Sequence, residues 1–200
     1  MQTPLTIGYF HNDYGHGAPS PLFLRTLEHH YPHARIVNCA ISCPEHLAMA
    51  ARTQAYAQLR RSMVGDLILL DTDIIAGKPV DVFETDGWDI GVTRTLEETP
   101  LMRYNGGVIF LRDSDVARSF MADVQYHATV VPEDFGPSMW YVDQLALTYV
   151  AKGNPRVKAF TGEYNYVPKT PRDTPEIAYF LHYKGKKRKA WLRDLEAQTA

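Results

Sequence analysis

Cysteine is almost absent. Cys39 and Cys43 are the only two in 200 residues. Two neighbouring thiols cannot build a disulfide framework, and no further Cys or His close by completes a zinc site. They read as reduced thiols of a cytoplasmic protein. Long apolar runs are absent too: Leu67–Leu70 has the length of a strand, far short of the roughly 20 residues that span a bilayer. No membrane span is expected. Met1–Thr6 has neither the basic segment nor the apolar stretch of a secretory leader. An excess of either charge is missing as well. A formal net charge of -2 and a pI near 6.4 exclude a global field that draws the chain to nucleic acid or anionic membranes, and leave room only for a local patch.

What remains is 45% hydrophobic and 22% charged. That suits one compact domain over residues 1–200 with a sizeable core. Leu5–Phe10 reads as a buried strand and His11–Pro21 as a Gly/Asn/Asp/Pro loop. Ser20-Pro21 looks like an N-cap followed by Pro at the first helical position, opening a helix that stops near Pro32. Ala34–Cys39 reads as a strand and Pro44–Met63 as a long helix. Further strands are expected at Ile90–Thr93, Gly107–Leu111 and Val157–Phe160, and further helices at Ser114–Thr129 and Tyr141–Val150. This alternation predicts an α/β fold with an open, mostly parallel sheet flanked by helices. In such sheets ligands bind beyond the carboxyl ends of the strands.

Two segments carry chemistry. In Asp66-Leu-Ile-Leu-Leu-Asp71-Thr72-Asp73 an apolar strand runs into two carboxylates. Residues i and i+2 of an extended chain point the same way, so Asp71 and Asp73 can face one ion. Hard oxygen ligands suit Mg²⁺ or Mn²⁺, which bind substrate phosphates. A loop of two solvated acids is the plainer alternative, and the buried strand before them weighs against it. The second segment, Ile177-Ala-Tyr-Phe-Leu-His182-Tyr-Lys184-Gly185-Lys-Lys-Arg188-Lys189-Ala-Trp191, ends an apolar strand with an imidazole and continues into glycine and a basic run. His182 can complete an Asp/Asp/His site, glycine lets backbone approach a phosphate, and the cations can neutralise a departing diphosphate. On its own such a run reads as a solvated tail. If Arg188 and Lys189 serve a diphosphate, the stretch from Gly185, poor in core residues and rich in charge, is expected to be a mobile lid that folds over it.

Five motifs in order resemble the retaining glycosyltransferases of family 8, the glycogenin and lipopolysaccharide-galactosyltransferase type. They are Leu69-Leu-Asp71-Thr-Asp73-Ile, Tyr104-Asn105-Gly106-Gly107-Val108, Trp140-Tyr-Val-Asp143-Gln144, Glu163-Tyr164-Asn165-Tyr, and His182-x-x-Gly185 with Lys189-Ala-Trp191. The resemblance implies a GT-A fold and transfer of a sugar from a nucleoside-diphosphate sugar, a UDP-hexose above all, to an acceptor hydroxyl with retention. It makes Asp71, Asp73 and His182 the ligands of Mn²⁺ or Mg²⁺. It makes His11, Asp13, Tyr14, Arg52, Thr72, Asn105, Gly106, Gly185, Arg188 and Lys189 donor-binding residues, with Asp143 and Gln144 at the transferred sugar in the catalytic role. It sets Tyr164-Asn165 near the acceptor.

Three positions depart from the family pattern. One extra residue separates Gly185 from Lys189, so Arg188 competes with Lys189 for the lysine's role. Ala190 replaces a proline, and Leu145 stands where a second acid often follows Asp-Gln. The acceptor is unassigned among saccharide, protein, metabolite and modified nucleic-acid base. Two rivals stand beside this reading. A haloacid-dehalogenase-type phosphatase also follows a strand with Asp-x-Asp, but Ile75 occupies the position of its Thr or Val and no downstream acidic pair is found. A nucleotide-sugar-binding module without transferase activity is supported only by Leu145. Trp88, after Gly87 in a polar loop, is a weaker candidate for flanking a sugar than for ordinary packing.

Overall fold

The computed structural model describes residues 3–12, 19–95, 101–130, 141–173 and 178–199. Six strands form one sheet in the order β2-β1-β3-β6-β5-β7. They are β1 (Leu5–His11), β2 (Arg35–Ala40), β3 (Asp66–Leu70), β5 (Ile90–Arg94), β6 (Tyr104–Leu111) and β7 (Val157–Phe160). All run the same way except β6, which is antiparallel to β3 and to β5. The sheet is thus α/β and mostly parallel, as the alternation predicts.

Period-two geometry explains why β3 is apolar throughout. Leu67 and Leu69 face one core with Ile109, Leu111 and Val92. Ile68 and Leu70 face the other with Ile7, Val108 and Phe110. Each of these four β3 side chains is fully buried, worth about 2 kcal/mol apiece over exposure. Helices α2 (Ala48–Ser62), α3 (Asp115–Val130) and α4 (Val142–Ala151) cover the first face. The second is covered by α1 (Pro21–His30) and a cluster of Phe and Trp rings. Ser20 caps α1 by accepting from the Phe23 N–H at 3.0 Å, with Pro21 at the first position, as read from the sequence. Trp88 packs edge-on against Phe160 and is 2% exposed, so it belongs to this core.

Two features differ from expectation. A short strand, β4 (Ile74–Ala76), follows the acidic pair and pairs antiparallel with β8 (Phe180–His182) as a separate two-stranded ribbon. And the basic tail is no loose lid. Lys186–Thr199 forms α5, whose Leu192, Trp191 and Leu195 pack on Leu22 of α1, on Ile75 and Leu181 of the ribbon and on Tyr183 just after it. Arg25 of α1 donates to the Thr199 carbonyl and hydroxyl at 2.9 and 3.0 Å, pinning the helix's far end. Three apolar residues on one turn-and-a-quarter are enough to dock a helix whose other faces are charged. Among the described residues, no helix is long and apolar enough to cross a membrane.

Candidate active site

Asp71 leaves β3 at its carboxyl end, where its N–H donates to the Gly107 carbonyl at 3.0 Å. The chain turns through Thr72 and Asp73 into β4, whose Ile74 lies opposite His182 in β8. Tyr183 N–H donates to the Asp73 carbonyl at 2.8 Å, and His182 N–H to the Tyr166 carbonyl at 2.7 Å. Backbone bonds therefore fix all three residues. His182 Nε2 lies 3.1 Å from Asp73 Oδ1 and 3.6 Å from Asp71 Oδ2. One ligand atom from each comes within 4.8 Å of the others, the spacing a single cation requires.

The other imidazole nitrogen sets the tautomer. Asn165 Nδ2 donates to Thr93 Oγ1 at 2.9 Å, which turns Asn165 Oδ1 toward His182 Nδ1 at 3.0 Å. Nδ1 then donates, leaving Nε2 aimed at two carboxylates. Three acceptors converging on one point repel unless something positive joins them, either a proton on Nε2 or a divalent ion. The donor set, two carboxylates and a neutral imidazole held from behind by an amide, fits Mn²⁺ or Mg²⁺. Burial alone would raise the Asp73 carboxyl, but the charges and hydrogen bonds of His182 and Lys189 hold it well below the usual carboxylate range. Lys189 Nζ is 3.2 Å from Asp73 Oδ2.

Behind the acids lies a second charged pair. Arg52, 7% exposed on α2, bonds one oxygen of Asp71 with Nη1 and one of Asp143 with Nη2. Burial works against its charge, yet Asp71 and, more weakly, Tyr56 and Asp73 raise its pKa. Two glycines in β6 make room for these groups. A Cβ on Gly106 would stand 2.7 Å from Arg52 Nη2 and 3.0 Å from Asp143 Oδ2, and one on Gly107 only 2.6 Å from His182 Cε1. The Gly-Gly pair weakens the strand, but any side chain there would displace the arginine on one face or the imidazole on the other.

The helix α5 begins at the same place. Gly185, with φ +83°, turns the chain, and the Lys189 N–H closes the first helical bond on its carbonyl at 3.0 Å. Nothing lies within 4 Å of its missing Cβ, so the backbone conformation and not space demands glycine. Lys184, Gly185, Lys186 and Lys189 form one wall of a cleft of about 360 Å³. Arg52, Asp71, Thr72, Asp73, His182, Asn105, Gly106 and Gln144 line the same cleft.

Most of the residues singled out in the sequence thus converge. Others fall elsewhere. Arg188 donates through Nε to the Pro168 carbonyl at 2.6 Å and through Nη1 to the Lys184 carbonyl at 3.4 Å, and does not line the cleft. Of the two competing cations, Lys189 faces the acids. Asp143 sits behind Gly106, 4% exposed, its Oδ1 buried without a hydrogen-bond partner among the described residues. His11 ends β1 beside the cleft without lining it. Asp13, Tyr14 and Trp140 lie outside the described residues. Asn165 is spent on His182, away from any open surface, with 6% exposure. Sequence reasoning missed that support, because nothing in a lone Tyr-Asn tells which histidine it meets. It also passed over Lys184 and Lys186, although they flank the singled-out Gly185.

No protein-family model matches the chain, and no curated protein is similar to it in sequence. Solved structures are similar in fold. A glycosyltransferase involved in glycosylation of the major capsid of PBCV-1 superposes with a TM-score of 0.65 at 16% identity, over 97% of this chain and 99% of that one. The galactosyltransferase LgtC, in complex with donor and acceptor sugar analogues, gives 0.65 at 16% identity over 96% and 94%. GlyE of Streptococcus pneumoniae TIGR4 gives 0.68 at 14% identity; it is longer, and 60% of it is covered. At these identities the likeness is one of architecture, and the architecture is that of GT-A-type glycosyltransferases.

Proposed function

We propose that this protein is a metal-dependent glycosyltransferase that moves a hexose from a UDP-sugar to an acceptor hydroxyl, with retention, in the cytoplasm. The observation that carries the reading is the Asp71/Asp73/His182 cluster at the mouth of a cleft beside a helix N-terminus. Fold likeness to a galactosyltransferase bound to donor and acceptor analogues supports it.

A divalent ion held by Asp71, Asp73 and His182 would neutralise the donor diphosphate as it departs. The chain's own groups do the rest. Arg52 fixes Asp71 from behind and keeps one of its oxygens forward. The N–H groups of the first turn of α5 and the Lys189 ammonium stabilise charge growing on the leaving group. Gln144, 8% exposed on the cleft wall, orients the sugar. Asp143 is bound to Arg52 behind β6 and holds that arginine in place. With no free carboxylate beside Gln144 among the described residues, we favour attack on the same face as the departing diphosphate, which itself takes the acceptor proton.

Incubation with UDP-galactose and UDP-glucose, with Mn²⁺ and then with EDTA, tests the reading. Cation-dependent release of UDP supports it. Phosphate release from a phosphomonoester without UDP release would favour the phosphatase instead. UDP–Mn²⁺ binding without turnover on any acceptor would leave a binding module.

A further inference from the structure

We infer that the outer face of α3 and α4 is a self-association surface, through which two copies of this chain pack about a two-fold axis. Among the described residues, eight large apolar side chains are well exposed. Five of them, Val116, Tyr126, Val130, Tyr141 and Tyr149, lie on α3, on α4 or at the N-cap of α4. Tyr126 is 61% exposed and Tyr149 66%. The pattern is helical. Tyr141, Leu145 and Tyr149 recur every fourth residue and form the outward stripe of α4. The one charged residue of Val142–Ala151 is Asp143, which is buried. A helix on the surface of a monomer turns polar and charged groups outward, whereas α4 turns two tyrosines and a leucine that way. On α3, Tyr126 and Val130 make the matching four-residue step. His127 joins the two stripes, its ring 4.5 Å from that of Tyr149 and 5.4 Å from that of Tyr126. An apolar patch continuous across two helices marks a surface that another body covers.

Charge selects the body. A shallow depression in this face is lined by Asp123 from α3 and Lys152 just past α4, together with His127, Tyr149 and Val150. Asp123 and Lys152 are both exposed, and neither forms an ion pair among the described residues. An anionic membrane or a nucleic acid is met by cations alone. One acid and one cation on the two helices suit a partner that presents the same two charges reversed. A two-fold axis over the depression does this with an identical chain, each Asp123 meeting the partner's Lys152. The same axis brings Tyr126 and Tyr149 of both copies to the contact, and tyrosine rings carry contact area at little cost in side-chain freedom. Helices of 16 and 10 residues are about 24 and 15 Å long and lie about 9 Å apart. Two such faces bury roughly 1,000 Å² in total, the lower end for a specific contact. The dimer is therefore weak, with a dissociation constant on the order of 10 µM.

Analytical ultracentrifugation of the full chain, from about 1 to about 200 µM at physiological salt, tests this. The expected result is a 22.7 kDa monomer at the lowest concentration that passes to a dimer at the highest. Tyr126→Ser with Tyr149→Ser removes two exposed rings, should keep the thermal stability of wild type, and should weaken association about tenfold or more. Val64→Ser removes an apolar side chain 75% exposed elsewhere and should leave association unchanged. Asp123→Lys and Lys152→Asp should each abolish the dimer in this range, because like charges then meet on both sides of the axis. The two combined exchange the charges and should restore it. The inference is overturned if wild type stays monomeric throughout, or if the dimer is indifferent to the two tyrosines or to the single reversals. It is overturned as well if the exchanged pair fails to restore what the single reversals remove. Binding of monomeric wild type to vesicles of phosphatidylcholine and phosphatidylglycerol, lost in the tyrosine variant, would assign the patch to a membrane surface and overturn the dimer.

Discussion

Strand β3 has a carboxylate at each end, and helix α2 sends an arginine to both. At the amino end, Arg60 is fully buried and donates to the Gly65 carbonyl at 2.8 Å and the Met63 carbonyl at 2.5 Å. Asp113 Oδ2 accepts the Gly65 N–H at 2.7 Å, and Asp66 Oδ1 accepts the Asp113 N–H at 3.1 Å. At the carboxyl end, Arg52 holds Asp71 and Asp143, while Asp73 and His182 face a cleft. The ingredients are the same and the outcomes opposite. Around Arg60 nearly every polar group is answered by backbone, which makes a staple. Around Asp71 the groups are fixed by backbone from behind and left converging in front, which makes a receptor for something positive. Burial dominates at Asp66 and pushes its carboxyl up, whereas its neighbours outweigh burial at Asp73 and push that carboxyl down.

The comparison breaks most visibly at Arg60. Arg60→Ala removes the partner of several buried carbonyls and should cost about 3 kcal/mol of folding stability, read by denaturant unfolding, with UDP–Mn²⁺ affinity of the folded fraction unchanged. A stable variant with altered nucleotide binding would show that the two ends of β3 are not separable.

Asp73→Asn should do the reverse. Removing a metal ligand should weaken Mn²⁺-dependent UDP binding by about 100-fold in calorimetry and leave the fold intact. It should also change the acid limb of unfolding for the metal-free protein. The folded carboxyl sits below its unfolded value of about 3.9, so Asp73 adds stability above that pH and loses it as pH falls toward the folded value. The variant should show a flatter acid limb. An unchanged limb would mean that the ion pairs to Asp73 contribute nothing to the metal-free fold.

Legibility in the sequence follows the same divide. The apolar run Leu67–Leu70 followed by acids revealed both β3 and the candidate site, because burial pattern and chemistry are local there. The strand that ends at His182 was legible, but its partner β4 was not, since three residues after the acids become a strand only by meeting a partner more than a hundred positions away. Helix α5 was misread because its apolar stripe, Trp191, Leu192 and Leu195, is narrow and framed by charge. The strand expected at Gly107–Leu111 is β6, which begins three residues earlier, at Tyr104. Its glycines are explained only by the arginine and imidazole that approach them.

Asn165 tests the support behind the receptor. Asn165→Ala removes the acceptor for His182 Nδ1–H and frees the imidazole to rotate or change tautomer. Mn²⁺ affinity should fall by about 10-fold, within the usual range for a partner that orients a metal ligand, with thermal stability little changed. A wild-type affinity would mean that backbone bonding alone orients the ring.

Lys189 gives the sharpest test, because two measurements should move in opposite directions, the smaller by only about twofold. In the metal-free protein its ammonium sits on Asp73 Oδ2 at 3.2 Å, where a cation would otherwise be. Half of the Lys189 side chain is exposed, so solvent screens the pair and its worth is about 0.5 kcal/mol. A divalent ion must break that pair to bind. Lys189→Ala should therefore bind Mn²⁺ alone about twofold more tightly, since nothing has to be displaced. The same variant should bind UDP in the presence of Mn²⁺ about tenfold more weakly, because the ammonium released from Asp73 is the one that meets the diphosphate. The balance between the two gives the lysine a reason to sit where it does: it covers an acid that would otherwise be bare, and the arriving ion sets it free for the donor. Weaker binding of both ligands would make Lys189 a general attractor of the site's contents, and equal binding of both would make it a bystander on the first turn of α5.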